Sequence, residues 1–527
     1  MAANMVWLTT SLALGLGLLI SLLLEQGLHP KPLLPTQRPV STLLIHVGTW
    51  LILFSGLLAL TLRPWFATGL VTALVVLLIL VNHAKYQSLR EPFLFQDFDY
   101  FTDAIKHPRL YLPFFGLART IAATLGFSLA VITGVMIEPP LTEVLSWPIF
   151  LLTVLIVLSL GIVMLTQALR TCPIVSFNPY QDLVSLGQLS FFWQYALAER
   201  NTRINPDVSP FKPITNPASS SLTPPNIVVI QSESFFDPRA LSGQIKPDVL
   251  KHFDSINQQA YAWGKLNVPA FGANTVRTEC AFLTGTRPAD LGIHQFNPYR
   301  SLAKHAIPNL VAHLKQQGYR TVCIHPYPST FYQRHLVFPK MGFDDFIDIT
   351  GFTAEQKQGQ YISDLAVNER IIQLLTEQTT NSHAQPLFIF VITMENHGPL
   401  HLEQLANEHY CQYIDGALPP GSDDLIVYLN HLAHADAMIQ QLTDCLRTQD
   451  TQHQRAGVLC WYGDHVPIMP NVYSLFGAAN GDTDYFIWHS SSLGRYTPAP
   501  AQTIAIHELA QRLLSCCSHP NHYTQAF

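Results

Sequence analysis

Residues 226–236 read NIVVIQSESFF. Ile227, Val228, Val229 and Ile230 form an unbroken apolar run of strand length, and Ser232, Glu233 and Ser234 follow at once. A continuous apolar run closed by polar residues predicts a strand buried on both faces, as in a parallel sheet. Glu233 then stands at the mouth of a hydrophobic strand. A carboxylate in that setting needs a partner.

Three more runs share this character: TVCI (Thr321–Ile324), LFIFVIT (Leu387–Thr393) and GVLCW (Gly457–Trp461). Each is preceded by a stretch of helical periodicity: IPNLVAHLKQQGYR, DLAVNERIIQLLTEQ and YLNHLAHADAMIQQLTDCL. The alternation predicts an α/β domain with a mostly parallel central sheet and helices on both faces. In such a sheet the C-terminal strand ends share one edge, where ligands bind. Those ends carry Ser232–Glu233–Ser234, His325, Glu395–Asn396–His397–Gly398 and Gly463–Asp464–His465. Glu, Asp and His together suit one divalent metal with mixed oxygen and nitrogen ligation, such as manganese or zinc. Any one of them has an ordinary reading as a loop pair or a cap. Four strand ends of this kind are harder to explain that way.

FGANTVRTECAFLTG (Phe271–Gly285) predicts a tight turn at Gly272 and Asn274, then a helix. Thr275 falls at its start, where free N–H groups can hold an anion. A metal beside that hydroxyl would favour its alkoxide, whereas Thr275 by itself reads equally as a helix cap.

The first third of the chain is different. The 527 residues are only 13% charged and carry a net charge of −6, which excludes a general nucleic-acid binder. Mean hydropathy is +0.19. The apolar excess sits in Val6–Leu24, Ser41–Leu62, Trp65–Asn82, Thr120–Ile137 and Val144–Leu169, each long enough to approach or exceed a membrane span. The first lacks a basic flank and four spans follow it, so it reads as an anchor rather than a signal peptide. Loop charges do not fix the orientation: Arg63 lies in the second loop, and Lys85, Arg90, Lys106 and Arg109 in the third are matched by Glu91, Asp97, Asp99 and Asp103. The reading is a transmembrane domain over 1–170, a connecting helix and Pro/Ser-rich linker over 171–225, and a catalytic domain over 226–527. The eight cysteines contain no CxxC spacing, so neither a zinc ribbon nor a thioredoxin motif is expected; with the C-terminal part outside the cytoplasm some could form disulfides, and the spacing does not say which.

NIVVIQSESFFD, FGANTVRTECAFLTG, GYRTVCIHPYPSTFYQR, TMENHGPL, WYGDHVP and DYFIWHS resemble the lipoteichoic acid synthase-type phosphoglycerol transferases of the alkaline phosphatase and sulfatase superfamily. Five spans before the catalytic domain, and KYQSLREPFLFQDFDYF after the third span, are similar to that family's layout. The resemblance implies a bacterial cytoplasmic (inner) membrane protein with its catalytic domain outside the cytoplasm. It implies a single metal, manganese first and zinc or magnesium in its place, held by Glu233, Thr275, Asp464 and His465, with Thr275 as nucleophile. His397 resembles a histidine that contacts the substrate, and Arg334 an arginine that binds glycerol phosphate. Tyr332 replaces a frequent tryptophan, and Asp364 would orient that region. Arg277 departs from the small or acidic residues common there, and would add a phosphate contact or alter substrate choice. His431 and His434 share a helix face and are expected to be solvated.

The implied reaction moves a phosphoglycerol group from a membrane phospholipid, phosphatidylglycerol foremost, onto Thr275 and then onto an acceptor hydroxyl. That acceptor would be a glycan, a glycolipid or a glycerol phosphate polymer. The alternatives are a phosphoethanolamine transferase and a catalytically inactive membrane scaffold. A true sulfatase is disfavoured, because Arg277 and Glu279 stand where its nucleophile motif has Pro and Arg.

Overall fold

A computed structural model describes residues 2–100, 117–212, 223–305, 307–379, 385–403, 405, 407–492 and 499–518. The chain divides into two compact units, Met1–Thr202 and Arg203–Phe527. The expected linker residues 213–222, and Asp103, Lys106 and Arg109 of the third loop, lie outside the described residues.

Among the described residues, the first unit contains five helices long and apolar enough to cross a membrane. They are Ala2–Glu25, Val40–Thr61, Pro64–Leu89, Leu117–Ile137 and Trp147–Thr171. Their outer faces carry large exposed apolar residues, including Leu60, Met136 and Ile137, as lipid contact requires. The fifth helix begins at Trp147 rather than Val144, because Pro148 suits a first turn and Leu141–Glu143 already forms a short 3-10 turn. The third runs on past Asn82 to Leu89, so its polar last turns are helical too. Gly48 and Gly161 let the second and fifth helices touch. A Cβ on either would lie 2.8 or 2.9 Å from the other's carbonyl oxygen. Two further helices, Pro179–Leu186 and Gln188–Asn201, belong to this unit.

In the second unit the strands are β1 (Asn226–Ser232), β2 (Ala262–Asn267), β3 (Arg320–Ile324), β4 (Asp345–Ile347), β5 (Lys357–Gln358), β6 (Tyr361–Ile362), β7 (Leu387–Ile392), β8 (Gly457–Gly463), β9 (Thr483–His489) and β10 (Ile504–Ala505). Eight of them form one sheet in the order β10-β2-β9-β8-β1-β7-β3-β4. β1 lies near its middle, parallel to both β7 and β8. Only β9 opposes its neighbours in that sheet. The four expected strands are these central ones.

Both sheet faces are covered, which explains the solid apolar runs. Val228 and Ile230 pack on one side with Leu429, Leu432 and Met438 of the helix Asp423–His453. Ile227 and Val229 pack on the other with Val276, Phe282 and Leu283 of the helix Thr275–Thr284. That second helix has all ten residues buried. All eight cysteines are free.

Candidate metal centre and phosphoryl-transfer site

Ser232 of β1 is paired in register with Gly463 of β8. The next residues, Glu233 and Asp464, therefore leave the sheet side by side. Gly463 is required there: a Cβ would sit 1.9 Å from the carbonyl oxygen of Phe235. Ser234 turns the chain through a left-handed conformation (φ 55°). Its N–H donates to Asp464 Oδ1 at 2.9 Å, as does the N–H of His465. Ser234 Oγ donates to Glu233 Oε1 at 2.9 Å.

One oxygen of Asp464 is thus fixed by backbone donors. The other, Oδ2, is buried without a hydrogen-bond partner. His465 Nδ1 is 3.1 Å from the carbonyl of Val466, a contact that places the proton on Nδ1 and leaves the Nε2 lone pair bare. Nε2 lies 3.4 Å from Asp464 Oδ2 and 3.6 Å from Glu233 Oε1. Glu233, Asp464 and His465 each offer a ligand atom within 4.8 Å of the others, and all three are buried. Two carboxylates and an imidazole lone pair facing one point form a donor set that fits a divalent cation.

Burial and the charge of Asp464 push the Glu233 carboxyl up to about 8, with His465, Ser234 and Arg334 opposing. An acid whose folded pKa is raised gives stability that is complete below its unfolded value and is lost as pH rises through the folded one. Asp364 is shifted upward as well, by burial and Glu395. Burial holds His325 and His397 below the ordinary imidazole value of 6.5, so they act oppositely below that pH. Between pH 6.5 and 8 the raised Glu233 carboxyl and His434, whose pKa the bond to Glu395 raises, both remove stability as pH climbs. Metal-stripped protein should lose thermal stability across that window, and added manganese should flatten the profile. A melting temperature that stays level from pH 6.5 to 8 in chelator would contradict this.

Thr275 is the first residue of its helix and is 8% exposed. Asn274 precedes it in the left-handed region (φ 68°), which asparagine tolerates. One turn on, Thr278 Oγ1 donates to the carbonyl of Asp464 at 2.7 Å. The start of the helix is therefore tied to the strand end that carries the triad.

Arg334 is 1% exposed. Its Nε and Nη2 donate to the two oxygens of Glu279 at 3.2 and 2.8 Å. Nη1 lies 3.1 Å from His325 Nε2. His325 Nδ1 sits 3.1 Å from the carbonyl of Ile392, so the imidazole is neutral and accepts from the arginine. The Tyr332 ring lies 5.3 Å from the guanidinium carbon. Tyr299 also donates to Glu279. One N–H on each of Nη1 and Nη2 is left for an anion.

His397 Nδ1 is 2.7 Å from the carbonyl of Gly398 and 3.3 Å from the hydroxyl of Tyr361. Asp364 begins the helix Asp364–Thr379 and donates its N–H to Glu395 at 2.6 Å. Thr393 Oγ1 accepts the N–H of Glu233 at 3.0 Å. Arg277 turns to Phe296, donating to its carbonyl at 3.2 Å and lying 5.3 Å from its ring centroid.

His431 is not solvated, and His434 is only partly so. His431 is 1% exposed and lies 3.0 Å from Glu403, while His434 Nδ1 lies 2.5 Å from Glu395. The i,i+3 spacing marks two histidine–carboxylate pairs, that of His431 buried and that of His434 a quarter exposed on the histidine side. Glu279 and Thr393 are site residues that the sequence reading did not assign. A glutamate inside TVRTECAFLTG carries the same signal as Glu233, an acid among apolar neighbours that needs a partner.

Residues 225–516, more than half of the chain, match the sulfatase family. A capsular polysaccharide biosynthesis protein of Rhizobium meliloti, RkpI, is 27% identical over 451 residues, 83% of this chain and 79% of that protein. The lipooligosaccharide phosphoethanolamine transferase EptA of Neisseria meningitidis, an integral membrane protein, superposes with a TM-score of 0.53 at 14% identity over 96% of this chain and 94% of its own. The phosphoglycerol transferase GacH of Streptococcus pyogenes covers 61% of this chain and 79% of its own, with a TM-score of 0.46 at 20% identity. EptA shares the arrangement of apolar helices ahead of an α/β domain. With the cation-ligand triad at its sheet edge and that match over more than half of its length, the chain belongs to the sulfatase family.

Proposed function

We propose that the protein transfers a phosphoglycerol group from a membrane phospholipid, phosphatidylglycerol foremost, to an acceptor hydroxyl by way of Thr275. The carrying observation is the tie from Thr278 to Asp464, which anchors the Thr275 helix against the strand end of the cation-ligand triad. In this reading the oxygen of Thr275 forms a bond to phosphorus as the bond to the diacylglycerol oxygen breaks. Diacylglycerol leaves with the threonine proton. An acceptor hydroxyl then attacks the same phosphorus, and its proton returns to the released Thr275 oxygen. A divalent cation on Glu233, Asp464 and His465, manganese first, would favour the threonine alkoxide and offset charge on the phosphoryl oxygens. The two remaining Arg334 N–H groups hold a phosphoryl oxygen from the other side.

His397 supports glycerol over ethanolamine. Burial holds its pKa down, so at neutral pH it is uncharged, and Nδ1 is committed to Gly398. The bare Nε2 accepts a hydrogen bond from a headgroup hydroxyl. Both Glu279 oxygens are taken by Arg334 and Tyr299, so that carboxylate is not free for an ammonium group. The name of RkpI points to a polysaccharide, and we infer a cell-envelope glycan as acceptor.

The full chain in vesicles containing tail-labelled phosphatidylglycerol or phosphatidylethanolamine provides the test. Labelled diacylglycerol should appear from phosphatidylglycerol about tenfold or more faster, the scale of discrimination when a hydrogen-bonding headgroup is exchanged. Faster release from phosphatidylethanolamine would make the second headgroup the donor.

A further inference from the structure

Residues 395–403 follow the end of β7 and carry His397, with a glutamate at each end, Glu395 and Glu403. Glu395 is fully buried, and the Glu403 side chain is 10% exposed. Both are met by the helix Asp423–His453, from positions one turn apart. His434 Nδ1 lies 2.5 Å from Glu395 Oε1, and His431 Nε2 lies 3.0 Å from Glu403 Oε2. An ionised carboxylate only accepts, so both ring nitrogens donate. Nδ1 of His431 is buried without a hydrogen-bond partner among the described residues. The polar contact of that ring is therefore spent on Glu403.

Other bonds grip the same segment. Glu395 Oε2 accepts the Asp364 N–H at 2.6 Å. The hairpin of β5 and β6 adds two more, from Gln360 Nε2 to the Pro399 carbonyl and from the Tyr361 hydroxyl to the Gly398 carbonyl, each at 3.2 Å. Gly359 turns that hairpin at φ 63°, and a Cβ there would lie 2.3 Å from Glu403 Oε2. Leu400 is buried in the core, whereas Leu402 is exposed. Apolar burial is non-directional, so one leucine holds the depth of a loop and not its rotation. Hydrogen bonds to both ends fix the rotation as well.

We propose that His431 and His434 are positioning residues, which clamp the two ends of the 395–403 segment and thereby set His397 for headgroup choice. The inference rests on the role proposed above for His397. A group that selects through one hydrogen bond must be held to within about 0.5 Å, and supporting hydrogen bonds are what hold it. Two histidines on one helix face, each on a different end of the loop, meet that need.

The experiment uses the full chain in vesicles and reads the ratio of diacylglycerol release from phosphatidylglycerol and phosphatidylethanolamine. The ratio does not depend on how much of the chain is folded, so a merely structural loss leaves it alone. His434→Ala should lower it about fivefold, most of what one headgroup hydrogen bond supplies. Asparagine places its amide nitrogen near the position of Nδ1, and glutamine near that of Nε2. His434→Asn should therefore keep the ratio and His434→Gln should not, while His431→Gln should keep what His431→Ala loses. In a His397→Ala background, His434→Ala should shift the ratio no further. Hydrogen exchange in peptides covering 395–403 should quicken in His434→Ala.

A ratio unchanged in both alanine variants overturns the inference, whatever the melting temperature does. So does an equal fall in the His397→Ala background, because the effect would then bypass His397. Where an alanine variant does not fold, or His397→Ala is too slow to measure, the contrast of asparagine with glutamine at 434 decides, and equal ratios overturn the inference. Quickened exchange with an unchanged ratio overturns this inference alone. A native chain that releases diacylglycerol from neither lipid overturns the proposed transfer, and unchanged exchange overturns the clamp separately.

Discussion

Thr275→Ala should lower headgroup transfer by roughly 10⁴-fold or more, the scale seen when a covalent nucleophile is removed. Thr275→Ser should keep a measurable part of the activity, since serine supplies the same oxygen. The alanine variant should still bind its cation, because Glu233, Asp464 and His465 converge without any help from position 275. Its fold should also hold. The helix start is fixed by the turn at Asn274, where Arg277 donates its N–H to the Asn274 carbonyl at 2.9 Å, and by the Thr278 bond to Asp464. Release of labelled diacylglycerol and metal content per chain are the two measurements. Release within about tenfold of the native rate would exclude a threonine intermediate, because the remaining site does not supply that much of a two-step displacement. Loss of the metal together with the activity would instead assign Thr275 a binding role.

The triad was legible in the sequence because a parallel sheet gathers its C-terminal strand ends, and each end announces itself by a polar residue after an apolar run. That Glu233 and Asp464 stand side by side was not legible, because it follows from the pairing of β1 with β8 in the sheet. The five spans were legible for a related reason, since lipid admits no alternation of polar faces. β2 and β9 were not. β2 is AWGKLN, where Gly264 and Lys265 interrupt any apolar run, and its alternating burial reflects a place toward the sheet edge. β9 is wholly buried, but its TDYFIWH carries polar residues that tertiary contacts satisfy, such as Lys265 on Asp484 at 2.8 Å. The histidines of the helix Asp423–His453 misled for the opposite reason. Period alone does not tell an outward polar face from an inward one whose partners, Glu403 and Glu395, come from other segments. The sequence reading offered Arg334 as a substrate contact. What immobilises it did not show, because Glu279 lies 55 residues away and reads as part of an amphipathic helix.

That last pair yields the other large effect. Glu279→Ala would leave the Arg334 guanidinium inside the protein without its carboxylate, and would also strip Tyr299 of its acceptor. Removing one partner of a buried ion pair costs about 3–5 kcal/mol. For a domain of this size the melting temperature should fall by roughly 10 °C. Activity should fall further than stability explains, because Arg334 would no longer hold its remaining N–H groups toward the phosphoryl oxygens. The double change Glu279→Leu with Arg334→Met separates the two effects. Replacing a buried pair by apolar groups of similar volume is often neutral for folding, so the double variant should regain most of the lost thermal stability. It should regain none of the transfer activity. Thermal melts of the full chain and labelled diacylglycerol release, run on the native protein, Glu279→Ala and the double variant, give both readouts. If the double variant recovers activity with stability, then Glu279 and Arg334 form a structural pair only. If Glu279→Ala melts with the native protein, the pair is not the buried contact that the geometry shows. The expected pattern, stability restored and transfer still lost, would mean that the helix beginning at Thr275 does two jobs. Its first turn presents the nucleophile, and its second fixes the cation that faces the same phosphorus.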